Sequence, residues 1–156
     1  KDRDALIQGL AEGVIDTIGS DHAPHLLSEK DATYFKAPSG LPTIQQSLPA
    51  LLTIATKNDI PLTQIASAFS EKAADLYGLK RGKIQVGYYA DLVVFDKDRE
   101  FTVKAEDILS KCGWSPYEGE TLKGYIETVF INGDIALKEG KVTETKAGRL
   151  LEFANR

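Results

Sequence analysis

Past Gly78 the chain is broken by glycine at positions 82, 87, 113, 119, 124, 133 and 140, and the runs between them are short and β-rich. Glycine costs about 1 kcal/mol against alanine inside a helix and commonly marks turns and bulges. The pattern predicts strands at Leu92 to Phe95, Phe101 to Val103, Tyr125 to Ile131 and Ile135 to Lys138. Asn132-Gly133, between the last two, is a strong two-residue hairpin signal, because both residues tolerate left-handed backbone. An antiparallel β region therefore follows a boundary near residue 80. No internal repeat or low-complexity stretch interrupts either side.

Before that boundary the periodicity is helical. Ala5, Leu6, Leu10 and Ala11 give Arg3 to Glu12 one apolar face, and Gly13 suits a left-handed C-terminal cap. Val14 to Ser20 reads as a buried strand. Helix, tight turn and strand form half of a βα repeat, the unit of parallel sheets and barrels. A long connection with Pro24, Pro38, Ser39 and Gly40 runs to about Pro42, a length that usually signals function or disorder. Pro42 suits a helix start. Ile44, Leu48, Leu51, Leu52 and Ala55 then form a stripe, with Pro49 predicting a kink or break near Ser47. Further helices are expected at Leu62 to Phe69 and Glu71 to Tyr77, the latter closed by Gly78.

Composition narrows the function. A formal net charge of -4 over 156 residues offers no polyanion-binding surface, which argues against nucleic acid. No apolar run approaches the roughly 20 residues needed to span a bilayer, so no membrane partner is expected. Cys112 is the only cysteine. An internal disulfide is excluded, and a reducing, cytoplasmic setting with an inert buried thiol is the expectation. The chain has no methionine and opens inside a helical pattern without a cap, which suggests a piece of a longer protein.

The chemistry-bearing segment is Asp21-His22-Ala23-Pro24-His25. It holds both histidines of the chain and a carboxylate within five positions, after a predicted strand. In parallel α/β folds, ligands bind at that end of the strand. Carboxylate and imidazole suit a divalent metal such as zinc, and a carboxylate beside metal-bound hydroxide can shuttle a proton. The same residues also fit a plain turn, with aspartate as cap and histidines as filler.

Ser20-Asp21-His22-Ala23-Pro24-His25 resembles the motif ending the eighth barrel strand of dihydroorotases in the amidohydrolase superfamily. Lys36-Ala37-Pro38-Ser39-Gly40 resembles the family's second substrate-loop motif. Gly82-Lys83-Ile84-Gln85-Val86-Gly87 with Ala90-Asp91-Leu92-Val93-Val94-Phe95-Asp96 resembles the superfamily's C-terminal β-sandwich signature. Ser115-Pro116-Tyr117-Glu118-Gly119 and Asn132-Gly133 also fit that region. The resemblance implies an α/β fold: a C-terminal βα segment of a TIM-barrel metal-dependent hydrolase over residues 1–80, then part of a composite β-sandwich over residues 81–156.

The resemblance also implies roles. Asp21 matches the carboxylate that binds one metal and acts as general base, then general acid, in opening the cyclic amide of dihydroorotate. The product would be carbamoyl aspartate, in a reversible step of pyrimidine synthesis. His25 matches the residue that binds the substrate carboxylate. The backbone of Ala37, Ser39 and Gly40 matches the loop that hydrogen-bonds the same ligand. His22 has no catalytic role in the family and is assigned to the surroundings of the metal. The cofactor would be binuclear zinc. Most of its ligands are absent here: there is no His-x-His pair and no further histidine for the fifth and sixth strands. The chain alone should therefore be inactive, and the family leaves a homodimer open.

Two departures loosen the substrate assignment. Many members carry a bulky apolar residue where Ser39 stands, and no Asn-Pro opens the segment at Glu71. Two other readings stand beside the first: an allantoinase- or dihydropyrimidinase-like cyclic amidase, and a non-catalytic scaffold homologue. An incomplete barrel should also expose apolar faces and strand edges. A lone piece is therefore expected to self-associate, aggregate or repack.

Overall fold

The computed structural model describes residues 1–153. Helix α1 spans Asp2–Ala11 and ends as its sequence predicts. The Gly13 N–H donates to the Leu10 carbonyl at 3.2 Å and the Val14 N–H to the Gly9 carbonyl at 2.9 Å. This paired closure satisfies carbonyls left open by the last turn.

The strand expected at Val14 to Ser20 does not form. A strand needs a neighbour to share its ladder, and among the described residues none lies beside this segment. Its backbone turns to helices instead: the Ile15 N–H returns to Gly9, and the Ile18 N–H donates to the Ala68 carbonyl at 3.0 Å. Two of its three apolar side chains still turn inward, while Val14 is exposed. Ile15 and Ile18, with Ile7 and Leu51, pack around a core of Leu10, Ala55, Ile60, Ile65 and Ala68.

The long connection carries one short helix, α2 (Leu27–Lys30). A 3₁₀ turn at Ile44–Gln46 then leads into α3 (Ser47–Lys57). The break falls at Ser47 as expected. Pro49 sits inside the first turn of α3, where a missing N–H removes no helical hydrogen bond.

The two helices expected after residue 62 are one continuous run. It comprises α4 (Leu62–Ala66), a π-helical stretch Ser67–Glu71 and α5 (Lys72–Leu76). No glycine or proline stands between Leu62 and Leu76 to stop it. The wider π turn absorbs the phase change that the sequence pattern suggested was a break. Lys83 then ties the following loop back to this run. Its ammonium lies 2.9 Å from Asp75 and 3.4 Å from Glu71. The hydrogen bond to Asp75 holds its pKa above the ordinary lysine value, against the opposing pull of desolvation.

Four antiparallel strands follow in the order β1-β2-β3-β4. They are β1 (Leu92–Thr102), β2 (Thr121–Ile131), β3 (Asp134–Lys138) and β4 (Lys141–Val142). The two strands expected at 92–95 and 101–103 are thus a single one. Its register shifts between Asp96 and Glu100, where the Asp96 carboxylate accepts the N–H groups of Asp98 and Arg99. Asn132-Gly133 makes the predicted hairpin, with φ of 52° and 90°.

The sheet rests on α3 through β2. Gly124 lies against Leu52, and the buried Thr53 hydroxyl accepts the Lys123 N–H at 2.8 Å. A polar clasp closes the other end. Arg81 pairs with Asp91 and donates to Asn132 at 2.8 Å. Asp91 in turn accepts the Asn132 N–H at 2.7 Å. Helix ends at Leu76 and sheet begins at Leu92, so residue 80 falls in the irregular chain between them.

Candidate functional site

Asp21 stands on the segment leaving the helical core, exposed, with a φ of 46°. Left-handed backbone is sparsely populated outside glycine, although aspartate tolerates it better than most residues. Both of its neighbours are tied to the start of the 3₁₀ turn that leads into α3. The Ser20 carbonyl accepts the Thr43 hydroxyl at 2.7 Å. The His22 Nδ1 accepts the N–H groups of Thr43 and Ile44 at 3.1 and 3.2 Å.

The substrate-loop candidates are drawn to the same place. His22 bridges Leu41 in parallel, and the Ala23 N–H donates to the Leu41 carbonyl at 3.0 Å. Gly40 lies against Ala23 so closely that a Cβ on it would fall 2.4 Å from the Ala23 Cβ. Lys30 Nζ fastens the turn from below, donating to the carbonyls of Pro38 and Gly40, the latter at 3.0 Å. Ala37 is half-buried, and its N–H is already engaged with the Thr33 carbonyl at 2.9 Å. The N–H groups of Ser39 and Gly40 take no internal partner among the described residues. They are the donors this turn can offer a ligand.

His25 is held from the β region. Trp114 Nε1 donates to the His25 carbonyl at 2.9 Å. The imidazole keeps 39% of its side-chain surface and lies 3.9 Å from a Glu29 oxygen that accepts the Leu26 N–H. The imidazole thus makes no internal hydrogen bond among the described residues, and the Glu29 carboxylate is its nearest charged neighbour there.

The backbone from Asp21 to His25 is therefore held against the turn at 39–41, fastened by residues whose part the sequence does not announce. Trp114 lies 89 residues from His25. Lys30 and Thr43 act on backbone atoms, and no short motif marks such contacts. Cys112 is half-buried beside Ser110 and the Trp114 carbonyl, as a structural thiol would be.

Among the described residues, no group of three or more His, Cys, Asp or Glu side chains is placed to hold a metal ion. Zinc takes about four ligands in structural sites and three plus water in catalytic ones. Asp21 can be one of these and no more. The described residues of this chain do not by themselves fit a metal. No helix is long and apolar enough to cross a membrane among the described residues.

Residues 1–136 match the sequence profile of the Amidohydrolase family. The chain is 38% identical over 143 residues to a dihydroorotase of Macrococcus caseolyticus, covering 90% of this chain and 34% of that protein. It is 40% identical over 135 residues to a dihydroorotase of Clostridioides difficile, covering 86% and 32%. It spans about a third of the length of these curated relatives. Among solved structures, an L-hydantoinase (dihydropyrimidinase) from Arthrobacter aurescens superposes with a TM-score of 0.87 at 31% identity, over 94% of this chain and 34% of that one. A D-hydantoinase (dihydropyrimidinase) from Thermus sp. gives 0.84 at 29%, over 93% and 33%. One superposition covers helices and sheet together. The repacking expected of a lone piece is therefore not seen; Thr53–Lys123 and Trp114–His25 are among the polar contacts between the two parts.

Proposed function

Because this chain belongs to the amidohydrolase family, we propose that it is the C-terminal part of a dihydroorotase, with residues 1–80 closing a barrel and residues 81–156 completing a β-sandwich. The complete enzyme would hydrolyse the cyclic amide of dihydroorotate reversibly to carbamoyl aspartate, in pyrimidine synthesis. Zinc would be held mainly by residues outside this chain, with Asp21 as one ligand.

The observation that supports the proposal is the packing of the Asp21–His25 segment against the turn at 39–41, with Asp21 exposed and the N–H groups of Ser39 and Gly40 without an internal partner among the described residues. Asp21 would take a proton from the attacking water and return it to the departing ring nitrogen. A carboxylate is basic enough for the first step and, once protonated, acidic enough for the second. His25, with the donors at 39–40, would bind the substrate's carboxylate, an interaction strengthened by charge.

The test is an assay of the complete enzyme with dihydroorotate. Asp21→Asn should lower kcat by about 10²–10⁴, the range general acid–base catalysis contributes. His25→Ala should raise KM for dihydroorotate and leave KM for a cyclic amide without a carboxylate unchanged. Undiminished activity in Asp21→Asn would remove the aspartate from the chemistry, whereas a wild-type complete protein without activity would favour a scaffold homologue. An unchanged KM in His25→Ala would turn the reading toward the dihydropyrimidinase-like amidases that the superposed structures represent. A homodimer and a cytoplasmic setting belong to the same proposal, and sedimentation of the complete enzyme would check the first.

A further inference from the structure

We propose that His22 is a positioning residue for Asp21, acting as a helix cap supplied from outside the helix; the proposal rests on the catalytic reading of Asp21. The turn that begins at Ile44 receives no cap from its own N-terminal residue, since the Thr43 side chain makes no capping hydrogen bond. The first N–H groups of a helical segment have no partner within it and need an outside acceptor. The His22 Nδ1 accepts two of them, from Thr43 and Ile44. The Thr43 hydroxyl, freed from capping, reaches back to the Ser20 carbonyl.

Asp21 is thus flanked by two tethers to one anchor. That anchor continues directly into α3, whose Leu52 and Ala55 are 3% and 1% exposed. The carboxylate sits on left-handed backbone between them, a conformation that persists where the surroundings over-determine it. Accepting two N–H groups requires Nδ1 to be bare, so the imidazole carries its proton on Nε2. His22 reaches the reaction only through where it places Asp21.

The experiment uses the complete enzyme and has two readouts. In long-range ¹H–¹⁵N spectra of the histidines, His22 should show a bare Nδ1 and a protonated Nε2. In kinetics, His22→Leu, which removes the acceptor, should lower kcat about tenfold or more with KM little changed, as displacement of a catalytic group does. His22→Asn, whose Oδ1 can accept the same N–H groups, should recover most of that loss. Thr43→Val should repeat the kcat loss in milder form and Thr43→Ser should restore it, which keeps the test open if His22→Leu does not fold. A protonated Nδ1, or equal kcat in the wild type, His22→Leu and Thr43→Val, overturns the proposal. Asp21→Asn separates the two ideas. If that variant stays active, the catalytic reading falls, and the proposal with it. If it is inactive while the His22 and Thr43 variants are not, only the positioning role falls.

Discussion

Gly40 fixes how closely the turn at 39–41 approaches the segment at Ala23. It has a φ of 98°, and any side chain would meet Ala23 at 2.4 Å. Contact and backbone penalties can be separated because only one of them depends on Ala23. Gly40→Ala should destabilise the fold by more than about 1 kcal/mol, since left-handed backbone alone disfavours alanine by that order. Adding Ala23→Gly should return the steric part and leave the backbone part. The check is a double-mutant cycle by urea unfolding; a coupling energy near zero would mean that the two residues do not touch.

Between elements, the sheet is seated on α3 by the Thr53 hydroxyl. It accepts the Lys123 N–H at 2.8 Å and donates to the Pro49 carbonyl at 2.7 Å. Thr53→Val keeps the shape and leaves a strand N–H without its partner. It should cost about 1–3 kcal/mol, the usual penalty for stranding a buried polar group, and thermal unfolding measures it. Thr53→Ser should cost much less. Such a link is invisible in sequence because its ends are 70 residues apart. What was legible is local. Gly13 announced the end of α1, and Asn132-Gly133 announced the turn between β2 and β3. Gly140 marked the turn after β3, but β4 beyond it went unread because two residues are too short to show a pattern. Val14 to Ser20 was read as a buried strand because its apolar content signals core contact, which only Ile15 and Ile18 make, and says nothing of a strand partner. The site followed the same division. Asp21 and His25 stood out because they share a motif, whereas Trp114, Lys30 and Thr43 act across distances that no local pattern encodes.

For the whole molecule, the question is how much apolar surface the 156 residues leave open. α1, the segment at 15–18 and α3 enclose an open groove of about 630 Å³ walled by Leu6, Ile7, Ile15, Ile18, Leu51 and Ile54. Ile84 and Val86, in the irregular chain before β1, are 92% and 99% exposed. Contiguous apolar surface of this kind drives association in water unless something covers it. The relatives are about three times as long, so in the proposed enzyme their remaining length supplies the cover. Produced alone, the chain should bind an apolar dye and sediment with a mass that rises with concentration. Leu6→Lys with Ile84→Lys places charge at two exposed positions, 64% and 92% accessible. That change should weaken both signals while leaving the unfolding midpoint nearly unmoved, because neither side chain is in the core. A wild-type chain that stays monomeric and dye-free at every concentration would mean that these faces need no cover, and the view of the chain as one part of a larger barrel would lose its physical ground.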